Sequence, residues 1–563
     1  MGKRGREEGD EHAESTRDAK RIRPASVDHM SRLSNELLLK VLSFLPVSEL
    51  IVCQRISHKY HKLAGDGQLW KSHYYNRFVR PRASRLPGLK ELGAFNDSLN
   101  FASKASRWLD EDHLVKSAGQ TDFKKQYKLR HNWTKGSPSA VNAIPVSEEA
   151  AIPPILVQMH GGIIYTVDHA DGLRAWSAKG PRDMIAQLAF PASRTRPPTA
   201  LAVDATTLED DNAKVVVGFE DGSFGLYLLN KSERKFCHGY FHEASSNGVV
   251  SSVALAWPYA VTMTATQLLS LYRFDDGAAR DVEGNVTAPP RLLHSLKSHT
   301  VWSPLSTSLR TSSSAVFICV AYALPTYLSG WTVGIQEVTV SPEGKLLDSR
   351  LASAIDQHYR PLAFTSRPVM HHLTPFIPGT GTSTALELRH IHSKPTSLSY
   401  THPYLLVSHP DNTLTLYLVT STTDSLSVSA GSRLWGHTSS VSGAQVCRRG
   451  KAVSVSRRGD ELRVWELEGG FSSTAARKRL AGGDLSVQIK PERKATLAQS
   501  GFDLVAKDKQ VALPDGYGPC EDAVDEPSEL TLTRGWIGFD DENVVVLKEQ
   551  SQGKQALVIY DFT

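Results

Sequence analysis

Three features of the 563-residue sequence predict a multidomain chain. A small all-α module and a helical linker should precede one large all-β ring of about seven sheets. The first feature is a set of apolar residues at helical spacing between Leu33 and Trp70. The second is a phrase, apolar-x-apolar-aromatic, that recurs seven times between Leu173 and Tyr560. The third is a strand pattern, Val141-Asn-Ala-Ile-Pro-Val146, placed just ahead of the first recurrence, where it can complete the last sheet.

Composition sets the frame. Hydrophobic residues make up 40% and charged residues 22%, so the chain as a whole can bury a core. The formal net charge is +5, too small, if evenly spread, to argue for nucleic-acid or membrane binding. Cys53, Cys237, Cys319, Cys447 and Cys520 form no CxxC pair, which speaks against a disulfide framework or a cysteine zinc site and fits a reducing compartment. Two charge-free windows, Val249–Tyr272 and Ser313–Ile335, are long enough to suggest membrane spans. Their Ser and Thr content, Pro258 in the first and Pro325 with Gly330 in the second favour strand–turn–strand instead, and no membrane partner is expected.

Residues 1–28 are polar and lack a hydrophobic period, so disorder is expected, and no secretory signal is visible. Lys3-Arg4 with Arg6, and Lys20-Arg21 with Arg23, resemble a bipartite nuclear localisation signal. The interspersed acids fit a plain solvated tail equally well, so nucleus and cytoplasm both stay open.

From residue 29 to 71 the pattern is helical. Leu33, Leu37, Leu38, Val41, Leu42 and Leu45 form a stripe wider than one short helix needs for its own core. Ser34 or Asn35 can cap its start, and Pro46 stops it. A second helix carries Leu50, Val52, Cys53 and Ile56, a third Tyr60 and Leu63, and the segment closes at Leu69-Trp70. About forty residues cannot bury this much apolar surface alone, so the excess should face a partner.

This segment resembles an F-box. Leu33, Glu36, Leu37, Val41, Leu42, Phe44, Leu45, Pro46, Leu50, Leu63, Ala64, Leu69 and Trp70 fall where that family's motif expects them. Ser34 stands where many members have proline. The resemblance implies docking on a Skp-type adaptor and, through it, on cullin and RING subunits. Its implied contact residues are Leu33, Leu37, Leu38, Val41, Leu42, Phe44, Leu45, Pro46, Leu50, Leu69 and Trp70.

Residues 72–135 form a basic linker. Over 71–135 there are 14 Lys and Arg against 6 Asp and Glu, a local +8. Helical pieces are expected at Leu86–Leu92, Asn96–Leu114 and Phe123–Leu129. Interleaved aromatics, among them Tyr74, Trp108 and Trp133, allow a nucleic-acid footprint or a spacer anchored on the next domain. The spacer is favoured, and nucleic acid is not expected as a partner.

Residues 136–563 carry the repeats. The copies are Leu173–Trp176, Phe224–Tyr227, Leu269–Tyr272, the degenerate Val333–Gln336, Leu414–Tyr417, Leu462–Trp465 and Leu557–Tyr560. Gly, Asp or Asn turns precede several of them, supplying residues that accept positive φ. Intervals of 45 to 95 residues leave room for insertions, read as surface loops over 344–398 and 475–531. Leu434-Trp435-Gly436-His437 opens the sixth copy and Trp465 closes it. This copy resembles the WD repeat, with Glu466 in place of the usual aspartate, and the period fits a seven-bladed WD-repeat-like β-propeller.

No phosphate loop, HExxH or GxSxG is present, so no catalytic residue, metal or cofactor is expected. His371-His372, and His390 with His392, lack spaced partners for a metal site. Asp275-Asp276 and Asp540-Asp541 read as turn residues. On the propeller, His169, Arg457 and Arg458 fall in turns between second and third strands and are the candidate substrate contacts. Paired arginines suit a phosphorylated protein substrate, while Asp460 and Glu461 also allow an ordinary solvated turn. Together, the resemblances imply a non-catalytic F-box/WD-repeat substrate receptor of a ubiquitin ligase, acting in ubiquitin-dependent protein degradation. A non-ligase scaffold and a nucleic-acid-associated propeller are the alternatives.

Overall fold

The computed structural model describes residues 30, 32–80, 121–149, 151–180, 182–191, 196–205, 212–244, 246–274, 289–298, 301–326, 330–354, 393–457, 459, 461–467, 486–490, 530–550 and 553–563. They divide into two compact units, a helical one up to Arg80 with Thr121–Tyr127, and a β-rich one from Lys128 onward.

The helical unit contains α1 (Asn35–Leu42), α2 (Val47–Cys53), α3 (His58–Ala64) and α4 (Gly67–Tyr74), followed by a π-turn, Tyr75–Val79. Ser34 caps α1, Ser57 caps α3 and Asp66 caps α4, each side chain accepting a backbone N–H of the first turn. Pro46 stands at the N-cap of α2, where its missing N–H costs nothing. The sequence reading closed this segment at Trp70, but α4 carries the helical path on to Tyr74. A further helix, α5 (Phe123–Lys135), is six residues longer than the stretch expected to end at Leu129. Its first turn belongs to the helical unit, where Tyr127 packs edge-on against Trp70 and accepts a hydrogen bond from Arg77 Nη1 at 2.5 Å. The pieces expected at 86–92 and 96–114, and the 1–28 tail, lie outside the described residues.

The second unit is a seven-bladed β-propeller. Each blade is an antiparallel sheet, and the seven inner strands neighbour one another in a closed circle. Blades 1 to 6 span residues 156–188, 198–242, 250–297, 302–353, 397–435 and 441–488. Blade 7 takes its inner three strands from 530–561 and its outer strand from Ala140–Ser147. That strand pairs with Gln555–Asp561 in the register Val141↔Tyr560 and Ile144↔Leu557. The two charge-free windows are strand–turn–strand, as expected. Among the described residues, no helix is long and apolar enough to cross a membrane.

All seven recurring phrases are third strands. Their spacing has a direct cause, because strand side chains alternate between faces and each sheet is buried on both. The first and third phrase residues pack towards the following blade, and the aromatic packs towards the preceding one. Leu462 and Val464 thus join the core shared with blade 7, whereas Trp465 joins the core shared with blade 5. Leu173, Ala175 and Trp176 divide in the same way between blades 2 and 7. Gly172 and Gly222 precede their phrases at φ +78° and +84°. A Cβ on Gly172 would also lie 2.2 Å from the Leu188 carbonyl. The Asp411–Asn412 turn needs no positive φ, because the Asp411 carboxylate accepts the Thr413 N–H at 2.8 Å.

The 344–398 insertion is not all loop, since Leu346–Ser353 is the outer strand of blade 4 and Ser397–Thr401 the inner strand of blade 5. Likewise Ser486–Gln488 is the outer strand of blade 6, and Leu530 begins blade 7. Leu434-Trp435 does not open the sixth sheet; its strand bonds to Thr413–Ser421 as an outer strand of blade 5. These strands escape a pattern search because outer strands are short or largely solvated, as the exposed Leu347, Asp348 and Ser349 show.

Two outcomes follow. Removing residues 554–563 deletes a strand whose Leu557 and Ile559 pack on blade 1 and whose Val558, Tyr560 and Phe562 pack on blade 6. The whole propeller should then melt well below wild type in a calorimetric scan; an unchanged Tm contradicts closure by this strand. The second outcome concerns His409, which is buried with Nε2 2.8 Å from Thr415 Oγ1. Burial, with Arg433 adding to it against Asp411, holds its pKa down to about 4. The unfolded chain, near 6.5, takes up the proton first, so this stability is full above pH 6.5 and is lost as pH falls towards 4. The loss should be about 3 kcal/mol. Urea midpoints at pH 7 and 4.5 should differ less for His409→Gln than for wild type.

Candidate functional site

The wide apolar stripe of α1 resolves into two. Leu38 and Leu42, four residues apart, point inward and meet Leu50, Leu63, Ala64 and Leu69 in one core. Leu37 and Val41 lie one position back on the helix and point outward, at 55% and 42% exposure. Phe44, just past the C-cap, is 75% exposed. On α2 Leu50 is buried and Cys53 packs against the core, leaving Ile51 and Val52 exposed, and Ile56 beyond it is 63% exposed. With Met30, these side chains give a small helical unit more apolar surface in water than its own fold explains, the mark of an interaction site.

The expected contact residues therefore separate. Leu37, Val41, Phe44 and Pro46 are exposed, while Leu33 and Leu45 are half-buried against the core. Leu38, Leu42, Leu50, Leu69 and Trp70 are corrected from surface to interior. Trp70 is 2% exposed, and its indole N–H donates to the Ala64 carbonyl at 2.8 Å. Ile51, Val52 and Ile56 are exposed apolar residues outside the expected set. Four apolar residues in a row, Leu50-Ile51-Val52-Cys53, cannot all face one core from a helix, and that signal was available in the sequence.

On the propeller, His169 and Arg457 are both exposed in turns between second and third strands. They belong to blades 1 and 6, with blade 7 between them, so they do not form one cluster. Arg458 lies outside the described residues, as do His371, His372, His390 and His392. His437, Ser454 and Trp465 form a buried chain, in which Ser454 Oγ lies 2.6 Å from His437 Nε2 and accepts the Trp465 indole N–H at 2.8 Å. Glu461 closes it, accepting the Thr438 N–H at 2.7 Å, so these polar groups serve the fold of blade 6. Asp540 receives the Glu542 and Asn543 backbone N–H groups, the turn role expected of it. Among the described residues, no group of three His, Cys, Asp or Glu side chains is arranged to hold a metal.

A helical module with one apolar face left open, followed by a seven-bladed propeller, defines an F-box protein whose large domain is built to present loops. Residues 139–563 match the model of the F-box protein pof12 beta-propeller, and residues 31–76 match an F-box-like model. The chain belongs to the F-box protein pof12 beta-propeller family. A 51-residue stretch is 41% identical to the F-box protein dre-1 of Caenorhabditis elegans, covering 9% of this chain and only 5% of that protein. Similar solved structures include the WD40 β-propeller domain of Doa1 (10% identity, TM-score 0.34, 75% of this chain and 96% of that one). Another is the Cps50 (Swd1) β-propeller domain of Myceliophteria thermophila (10%, 0.38, 75% and 100%). The F-box implies binding of a Skp-type adaptor, and both domain types are ordinarily non-catalytic.

Phe44→Ala should weaken adaptor binding at least tenfold in a titration with purified adaptor while leaving Tm unchanged. Leu38→Ala should instead cost about 2–5 kcal/mol of stability in urea unfolding, because it opens a cavity in the core of the helical unit.

Proposed function

We propose that the protein is the substrate-recognition subunit of a Skp–cullin–RING ubiquitin ligase. The observation that carries this reading is the outward apolar face of α1 and α2 in a chain of an F-box family. The mechanism is positional: the open face is buried on the adaptor, and the propeller holds a protein substrate. Tethering both raises the effective concentration of substrate lysines at the ligase's charged ubiquitin carrier. The chain itself contributes no bond-making group and needs no cofactor. Its place of action is the nucleus, the cytoplasm or both.

Affinity capture of the tagged full-length protein tests this. Adaptor, cullin and RING subunit should be recovered with wild type and lost with Leu37→Ala/Phe44→Ala. Substrate proteins free of ubiquitin chains should accumulate on the double variant, which binds substrate without delivering it. Recovery of the adaptor without cullin would contradict the ligase reading and leave a scaffold, and absence of the adaptor would overturn both.

A further inference from the structure

Between blades 2 and 3 the aromatic side chains form one continuous ladder. Strand alternation sets it up. Tyr240 and His242 lie two residues apart on the outer strand of blade 2, so they share a face, opposite Leu226 and Phe224 of the third strand. That face is turned to blade 3, where Phe224 and Leu226 share a core with Val253 and Ala260. Tyr272, the aromatic of the third phrase, reaches the same seam from blade 3. Phe224 is the floor at 1% exposure, with the His242 ring stacked 4.8 Å away and the Tyr272 ring at 5.0 Å. Tyr240 stands 6.4 Å from both Phe224 and His242, tilted to each. It also meets Phe274 edge-on at 6.2 Å, and Phe274 stacks on Trp257 at 5.5 Å.

The two ends of this ladder differ. At one end Trp257 carries the chain's own ammonium, with Lys214 Nζ 4.7 Å from the ring centroid. At the other end Tyr240, His242 and Tyr272 are only half-buried, and Leu292, directly across from Tyr272 on the outer strand of blade 3, is 52% exposed. Among the described residues, no Lys or Arg lies over the Tyr240 or Tyr272 ring. The charge that acts on this end is negative. Glu243, next to His242 and exposed, acts on both Tyr240 and His242 and makes no ion pair among the described residues. Burial holds His242 below the ordinary histidine range, with Glu243 opposing it, so at neutral pH the imidazole adds no positive charge.

We propose that this open end, formed by Tyr240, His242 and Tyr272 with Glu243 beside them, is a binding site for a trimethylated lysine on a partner protein. The faces of aromatic rings are negative and attract a cation. A trimethylammonium group suits them better than a plain ammonium, because it is bulkier, holds water less tightly and has no N–H that needs an acceptor. The Glu243 carboxylate supplies the balancing charge. The site is a seam on the flank of the propeller, where a free small cation would bury little surface. A peptide can also lay a neighbouring apolar side chain on Leu292 and so gains more. The seam uses none of the turns that hold His169 and Arg457, and the inference does not depend on adaptor binding.

Isothermal titration of the full-length protein tests it. The probes are three forms of one acetyl-Ala-Leu-Lys-Leu-Ala-amide peptide, with the lysine trimethylated, left plain, or replaced by the neutral isostere in which carbon stands for the charged nitrogen; choline is the fourth. The trimethylated peptide should bind saturably, and the neutral isostere and plain lysine about tenfold more weakly. Tyr240→Ala should weaken the trimethylated peptide about tenfold. Glu243→Gln, at an exposed position where Tm should not change, should weaken it severalfold and leave the neutral isostere unaffected. No saturable binding, or equal binding of the trimethylated peptide and its neutral isostere, would overturn the site. Choline binding as tightly as the peptide would overturn the assignment to a protein side chain.

Discussion

The inner strands of each blade, and helices α1 and α2 of the helical unit, carry apolar side chains on two sides, and the fold is governed by how the second side is covered. In the propeller, every sheet buries one face on the blade before it and one on the blade after. A row of such sheets would leave both end faces wet, which a ring avoids. The strand Ala140–Ser147 then covers the edge of Gln555–Asp561, so the last blade ends on an outer strand as the other six do.

The helical unit meets the same constraint with too little chain. Its four short helices assemble one core around Leu38, Leu42 and Leu50. Among the described residues, the other faces of α1 and α2 find nothing within the unit to lie against. The surplus at Leu37, Phe44, Val52 and Ile56 is therefore the physical basis for a partner. Function in this reading comes from incomplete burial in one unit and complete burial in the other. A closed ring makes a rigid platform on which loop turns and axial mouths can carry recognition groups without risk to the core.

Much of this was legible in the sequence because it rests on periodicity. The seven third strands were all found, since burial on both faces forces the apolar-x-apolar-aromatic order. Even the degenerate copy obeys it, with Val333 and Ile335 facing blade 5 and only Gln336 departing. Outer strands such as Leu346–Ser353 were not found, because solvent on one side removes the constraint that makes a pattern. The docking face was half legible. Helical spacing shows that Leu37 and Leu38 belong to neighbouring stripes, but it does not say which stripe is inward. That depends on tertiary contacts with Leu63 and Leu69, which no local pattern encodes.

The central claim is that the helical unit keeps one apolar stripe for itself and offers the other. Hydroxyl-radical footprinting of the full-length protein, with and without purified Skp-type adaptor, reads both stripes in one experiment. Phe44, Ile51, Val52 and Ile56 should be labelled in the free protein and protected by the adaptor, while Leu38 and Trp70 stay unlabelled in both states. Labelling of Trp70 in the free protein that disappears on binding, with Phe44 unchanged, would contradict the account.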